Sequence, residues 1–354
     1  MSTLNLRKIR VLIVDDSLFM RAAIAKAIAN GPFEIVGQAK DGKDAIEKIK
    51  TLTPDVCTMD FNMPGLNGAE TVRQIMQLRP TPVVMFSAHT QKGAKETFDA
   101  LAAGAVDFVT KPGGEVSTDL TKISEELTRK LVAAASAKPR AAPPPPTPSA
   151  SGRWSGQIAV PIPRTTLPGG LPRLCVIAVS TGGPAALSEV VPALGADLKV
   201  AVIIVQHMPA HFTLALAERL DSISRVRVRE AVAGDRPMPG VVMIAPGDHH
   251  LELDDTGAVM LTDGPPVNGC RPAADVTMMS AARIYGRRAL GIVMTGMGKD
   301  GAAGARAIKQ AEGRTLAQDQ ATSVIFGMPK AAVDTGAIDE VVPLGGIAPW
   351  LRNA

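Results

Sequence analysis

The chain is poor in aromatic residues, which make up 3% of its 354 positions and include a single tyrosine. Proteins that hold single-stranded nucleic acid stack its bases on aromatic faces, so this scarcity argues against such a platform. Cysteine is scarce too. Cys57, Cys175 and Cys270 lie far apart, which leaves neither a metal quartet nor a disulfide framework. Cys57 and Cys175 fall inside apolar runs, where cysteine behaves as a small buried hydrophobe, and a reducing compartment fits. No run approaches the roughly 18 consecutive apolar residues of a membrane-spanning helix. Near the start, Val11–Val14 runs straight into Asp15 and Asp16, too short an apolar core for a signal peptide. A cytoplasmic protein without membrane insertion is expected.

What is present is a globular composition, 46% hydrophobic and 20% charged. At about 100–200 residues per domain, the length predicts two domains. The break is visible. From Ala133 to Pro172 the chain is rich in Ala, Pro, Ser and Gly and contains the run Pro143–Pro146. Such a stretch cannot bury a core and is extended. The division is therefore a front part, 1–131, a linker, 132–171, and a back part, 172–354. The formal charge of +4 divides as +1, +4 and −1 over these three. The basic excess equals the linker's own charge, so it is no evidence for a nucleic-acid partner.

The front part alternates apolar strand-like runs (Arg10–Val14, Glu34–Ala39, Asp55–Met59, Val83–Ser87, Asp107–Thr110) with amphipathic stretches of helical spacing. This predicts an α/β fold, a parallel flavodoxin-like (βα)5 sheet covered by helices on both faces. The back part repeats the style with strands near 174–179, 201–206, 226–230, 241–245, 289–293 and 315–317. A doubly wound, mostly parallel sheet is expected there, with an antiparallel hairpin around Asp254–Gly257.

In a parallel sheet the strand C-termini share one edge, where ligands bind. In the front part Asp15 and Asp16, Asp60, Ser87 and Lys111 each follow a strand. Each alone would be an ordinary turn or capping residue. Together, three carboxylates repel one another unless a hard divalent cation such as Mg²⁺ sits among them. A lysine beside them suits a phosphoryl group, and Ser87 offers a hydroxyl. A metal-assisted phosphoryl-acceptor site with one Asp as nucleophile is the chemical reading.

The set Asp15-Asp16, Asp60-Phe61-Asn62-Met63-Pro64-Gly65, Ser87 and Lys111-Pro112 resembles a response-regulator receiver domain over residues 8–130. The resemblance implies phosphorylation of Asp60 by a histidine kinase. It implies Mg²⁺ held by Asp15, Asp16, Asp60 and the Asn62 backbone carbonyl. Ser87 takes the switch-hydroxyl role, Lys111 the phosphate contact and Phe108 the aromatic switch position.

The back part carries Val176-Ile177-Ala178-Val179-Ser180-Thr181-Gly182-Gly183-Pro184, a strand, a tight turn and a helix start. A Ser at such an elbow stands exposed above the sheet edge. The glycines after it let backbone N–H groups approach a ligand, and a helix N-terminus favours negative charge. His207 follows a second strand, and Asp300 lies in Gly296-Met297-Gly298-Lys299-Asp300-Gly301 after another. A Ser needs a base to take its proton and an acid to orient that base, and the strand arithmetic brings these three to one edge. His211 is read as lying inside the next helix, and Pro209 between it and His207 argues against zinc. His249 and His250 read as surface turn residues. The order Ser, His, Asp differs from the Ser, Asp, His of ordinary α/β-hydrolases.

With Gln206-His207-Met208-Pro209, Ile244-Ala245-Pro246-Gly247-Asp248 and Arg271-Pro272, residues 172–350 resemble the methylesterase domain of the chemotaxis protein-glutamate methylesterases. Two positions depart from that pattern: Ala178 stands where Gly is usual, and Cys270 where His is frequent. Arg271 is open between a substrate contact and a structural ion pair. The resemblance implies demethylation of glutamate methyl esters on methyl-accepting chemotaxis receptors, with release of methanol, and deamidation of receptor glutamines. It needs no cofactor for the esterase. Ser180 attacks, His207 moves the proton, Asp300 orients His207, and the backbone N–H groups of Thr181 and Met297 hold the oxyanion. The receiver covers the active-site edge until it is phosphorylated. Two other readings are a transcriptional response regulator and a catalytically silent, receiver-docked scaffold; a back part of net charge −1 and rich in strands speaks against the first.

Overall fold

The computed structural model describes residues 7–88, 90–111, 119–137 and 172–354; the proline-rich linker from 138 to 171 and Pro112 lie outside the described residues. The front part runs β1 (Ile9–Val14), α1 (Leu18–Ile28), β2 (Phe33–Ala39), α2 (Gly42–Leu52), β3 (Val56–Asp60), α3 (Gly68–Leu78), β4 (Val83–Ser87), α4 (Gln91–Ala102), β5 (Asp107–Thr110) and α5 (Asp119–Ser136). Val11–Val14 and all of β3 and β4 are buried, as strands covered by helices on both faces must be. Polar side chains start the helices between them. Asp41 accepts from the Asp44 backbone N–H, and Asn67 and Glu70 form a reciprocal capping box.

The sheet order is β2-β1-β3-β4-β5, all parallel, the predicted flavodoxin-like order. Val14 pairs with Met59, Asp60 with Phe86 and Ser87 with Thr110. The residues that follow β1, β3, β4 and β5 are therefore level at one edge. Helix α5 continues through Ser136, beyond the position where the composition changes.

The back part runs β6 (Arg173–Val179), α6 (Gly183–Val190), β7 (Val200–Gln206), α7 (Phe212–Ile223), β8 (Arg227–Glu230), β9 (Val241–Ile244), β10 (His250–Leu253), β11 (Val259–Thr262), α8 (Ala274–Tyr285), β12 (Ala289–Val293), α9 (Ala302–Gln310), β13 (Arg314–Gln318), α10 (Met328–Asp334), β14 (Glu340–Val342) and α11 (Leu344–Arg352). Seven of these strands form one parallel sheet in the order β14-β13-β12-β6-β7-β9-β8. The chain builds outward from β6 to one side, then returns to β6's other edge with β12. That reversal places a crevice at the C-terminal ends of β6 and β12.

The antiparallel hairpin expected around Asp254–Gly257 is present as β10–β11, a separate two-stranded sheet packed on α8. Two sequence expectations change. Strand β14 is an edge strand of three residues, too short to leave a periodic signal. His250 is not a surface turn residue. It is 3% exposed in β10, and its ring bonds the Pro265 carbonyl and the Ala273 N–H. No helix among the described residues is long and apolar enough to cross a membrane.

The two sheets are joined by a helix contact. Helix α4 packs on α6 and α7. Phe108 stacks on Phe212 with ring centroids 4.4 Å apart, and both belong to one apolar cluster that runs through both parts. Lys95–Glu218 and Arg219–Asp99 form ion pairs between α4 and α7; as solvent-exposed pairs they add little stability.

Candidate active site and phospho-acceptor pocket

Ser180 follows β6. Its N–H donates to the Thr295 carbonyl at 3.0 Å, just past β12. Positions 182 and 183 of the turn after it leave no room for a Cβ. Gly182 sits at φ 78°, and a Cβ there would lie 2.6 Å from the Val324 Cβ. A Cβ on Gly183 would lie 1.9 Å from Gln206 Oε1. Gln206 Nε2 in turn donates to the Ser180 carbonyl at 3.1 Å. Ala178, the departure from the usual Gly, lies in regular strand. Gly301, at φ 88°, leaves the room its methyl occupies, since a Cβ on Gly301 would lie 2.8 Å from the Ala178 Cβ.

His207 follows β7, the neighbouring strand, and its N–H donates to the Val179 carbonyl at 3.2 Å. Its Nε2 lies 2.7 Å from Asp300 Oδ2. That contact gives Nε2 the proton and leaves Nδ1 as the basic nitrogen. Asp300 is buried in the loop between β12 and α9, accepting from two N–H groups at the start of α8, those of Ala274 at 2.6 Å and Asp275 at 3.0 Å. Burial would raise its pKa, but the His207 hydrogen bond and charge, with these N–H groups, hold it below the usual aspartate value. Burial would lower the pKa of His207. The hydrogen bond to Asp300, with a further contribution from Cys270, lifts it instead to about 9.

The sequence reading left Cys270 out of the site. Its Sγ lies 3.5 Å from His207 Nδ1, against the ring nitrogen that Asp300 leaves free. Asn268 was also missed. It and Gly269 form a tight turn with φ 53° and 76°, closed by mutual Val267–Cys270 backbone bonds. The Asn-Gly pair is the sequence signal for that turn. Arg271 forms none of the described ion pairs; it donates to the backbone carbonyls of Asp263 and Gly264. His211 is not inside α7 but at its N-cap, with φ 69°.

Thr181 is buried, and Met297 is 38% exposed. Among the described residues neither backbone N–H donates to a protein acceptor. The Thr181 side chain is engaged elsewhere. Its Oγ1 donates to Asp107 Oδ2 on β5 at 2.7 Å. Asp107 is also paired with Lys130, whose ammonium lies 4.9 Å from the Phe108 ring centroid.

At the front edge, carboxylate oxygens of Asp15, Asp16 and Asp60 all lie within 4.8 Å of one another. Asp15 and Asp60 are buried and Asp16 is exposed. Lys111 Nζ reaches Asp60 at 2.8 Å and Asp15 at 3.2 Å. Burial raises the pKa of Asp60; Lys111 opposes that rise, and the charge of Asp15 adds to it. One ammonium leaves this cluster short of positive charge, and three hard oxygen donors suit Mg²⁺. Ser87 is buried, donating to the Gly93 carbonyl and accepting from Thr97 Oγ1 at 2.6 Å. The Asn62 side chain donates to Glu96.

Residues 175–351 match the CheB methylesterase family, and residues 11–121 match the response regulator receiver domain family. A protein-glutamate methylesterase/protein-glutamine glutaminase of Symbiobacterium thermophilum is 47% identical, over 98% of this chain and 97% of the relative. The chain belongs to the CheB methylesterase family. Another relative of the same description, from Pyrococcus abyssi, is 44% identical over 98% of this chain and 94% of its own length. The crystal structure of the Thermotoga maritima CheB methylesterase catalytic domain superposes with a TM-score of 0.50 at 42% identity, covering 51% of this chain and 98% of that one. The back part is thus a CheB methylesterase domain and not a DNA-binding effector. At the switch point between β6 and β12, the receiver's β5 reaches Thr181 through Asp107, while α4 packs on α6 and α7.

Proposed function

We propose that the chain is a phosphorylation-regulated serine esterase. Its substrates are glutamate γ-methyl esters on methyl-accepting chemotaxis receptors, and it also deamidates receptor glutamines in the cytoplasm. The observation that carries this reading is the His207 Nε2–Asp300 Oδ2 contact of 2.7 Å, on the strands that flank the one leading to Ser180. Ser180 Oγ attacks the ester carbonyl while His207 Nδ1 takes its proton. Asp300 keeps the other ring nitrogen protonated and stabilises the imidazolium. The N–H groups of Thr181 and Met297 receive the negative oxygen. The tetrahedral intermediate collapses, and His207 returns the proton to the departing methoxide, releasing methanol. Water, deprotonated by His207, then cleaves the acyl-enzyme and frees the carboxylate. An amide follows the same route with ammonia as the leaving group, so one site serves both reactions.

Asp60 is the proposed phosphoryl acceptor and a chemotaxis histidine kinase the donor. Asp15, Asp16, Asp60 and the Asn62 backbone carbonyl would hold Mg²⁺, which supplies positive charge to the phosphoryl oxygens. Lys111 contacts the phosphoryl group, and Ser87 and Phe108 carry the switch. Phe108 stacks on the methylesterase domain, and its neighbour Asp107 bonds Thr181. A change at β5 therefore acts directly on the residue after Ser180. Phosphorylation favours the arrangement in which these contacts are released. The test is methanol release from methylated receptor membranes with and without a small-molecule phosphodonor. Stimulation by the phosphodonor is expected, and absence of methanol under both conditions would refute the esterase reading.

A further inference from the structure

Asp300 is the most heavily bonded carboxylate of the crevice. Besides His207 it accepts from the N–H groups of Ala274 and Asp275 and from Asn268 Nδ2 at 3.1 Å. The bonds divide between its two oxygens. Oδ2 takes His207 and Ala274, and Oδ1 takes Asp275 and Asn268.

Both donors on Oδ1 belong to one closed ring. Asn268 Nδ2 also donates to Asp275 Oδ2 at 2.9 Å, so a single amide bridges the two carboxylates. The other oxygen of Asp275, Oδ1, accepts from the N–H groups of Gly301 at 2.9 Å and Gly304 at 2.7 Å. Asp275 thus fixes the residue after Asp300 with its side chain and the Asp300 carboxylate with its backbone.

Asp275 is 6% exposed, and no cation offsets it among the described ion pairs. Burial raises its pKa, and the charge of Asp300 adds to that rise. A second buried carboxylate so close to Asp300 is unfavourable on its own. Three donors on Asp275 compensate it, and all three lie on segments that hold Asp300 in place.

We propose that Asp275, acting with Asn268, is a positioning residue for the esterase reaction. It occupies Oδ1 of Asp300 and so fixes the rotamer that aims Oδ2 at His207 Nε2. This inference rests on the Ser180–His207–Asp300 reading above. In Asp275→Asn the shape is kept, and the side-chain oxygen still accepts from Gly301 and Gly304. The new amide, however, faces the Asn268 amide, donor against donor. Asn268 must then turn away or present its oxygen to Asp300.

The experiment compares the full-length chain with Asp275→Asn, Asp300→Ala and the double variant, each stimulated with phosphodonor and assayed by release of radiolabelled methanol. Misplacement of a catalytic group by about 1 Å costs about 10²-fold. Asp275→Asn is expected to lose kcat by up to that factor with KM unchanged. It is also expected to shift the downfield proton resonance of His207 Nε2–H. On top of Asp300→Ala it should cost less than about twofold, because the two changes disable one unit. Asn268→Ala, at the surface, removes the bridging amide alone and tests the same ring if Asp275→Asn does not fold. It should lower kcat and move the same resonance. The inference is overturned if kcat is unchanged in both variants, or if the loss from Asp275→Asn is undiminished in the Asp300→Ala background. Full activity of Asp300→Ala by itself would instead remove the triad reading, and this inference with it.

Discussion

Thr181 Oγ1 donates to Asp107 Oδ2 across 2.7 Å, linking the residue after Ser180 to a buried carboxylate on the receiver's fifth strand. Asp107 also bonds the Phe108 N–H and Lys130. Replacing Asp107 with Ala removes the link to Thr181 and loosens the Phe108–Phe212 stack. Basal methanol release without phosphodonor is expected to rise severalfold. Deleting residues 1–137 should raise it further. A fall in activity after the deletion would show that the receiver is needed for catalysis rather than restraining it.

Ser180→Ala removes the proposed nucleophile. Methanol release should fall by about 10⁴-fold or more, with an unchanged circular dichroism spectrum. Activity within tenfold of the parent would rule Ser180 out.

Asp60→Asn should leave basal release in place and abolish its stimulation by acetyl phosphate. It also tests the electrostatics of the cluster. Burial, with Asp15 adding to it, raises the pKa of Asp60. The folded state therefore binds that proton more tightly than the unfolded chain does, so its stability grows as pH falls through the folded pKa and is lost above it. At pH 7, without divalent cations, Asp60→Asn should unfold a few degrees higher than the parent. A lower midpoint would mean that the Lys111 ion pairs outweigh the burial of charge.

With its pKa lifted to about 9, His207 is mostly imidazolium at pH 7. The unstimulated kcat/KM should then rise about tenfold per pH unit up to about pH 9. Cys270 contributes to that lift through its contact with Nδ1. In Cys270→Ala the acid limb should move to lower pH and the rate at pH 7 should increase. An unmoved limb would show that Asp300 alone sets the basicity of the ring.

Much of this arrangement is legible in the sequence because parallel strands buried on both faces are continuous apolar runs. Val11–Val14, Leu174–Val179 and Val200–Val205 mark their own strands, and the polar residue after each marks the edge. That pattern places Ser180 and His207 at one edge, and the loop after β12 brings Asp300 to His207. Strand β14 was not legible, since Glu340–Val342 is a short edge strand without a periodic signal. His250 misled because its neighbour His249 is at a turn, while His250 itself starts β10 and is buried on the face opposite Leu251 and Leu253, bonded to Pro265 and Ala273. Asn268, Cys270 and Asp275 reach the crevice from a turn and a helix start nearly 100 residues beyond Ser180, and no local pattern records that convergence. The contact of Asp107 with Thr181 left no trace either. Asp107 reads as a strand residue, and which faces of two domains meet depends on shapes that the linear pattern does not encode.

The strand order of the back sheet has a consequence for synthesis. Strands β6 and β7 leave the ribosome early, but β6's other neighbour is β12, and Asp300 follows that strand. A chain that has emerged only through residue 288 holds Ser180 and His207 yet has an unpaired edge on β6 and no acid for the histidine. By then β1 to β5 are already complete. The receiver can therefore fold before the crevice beside it is complete.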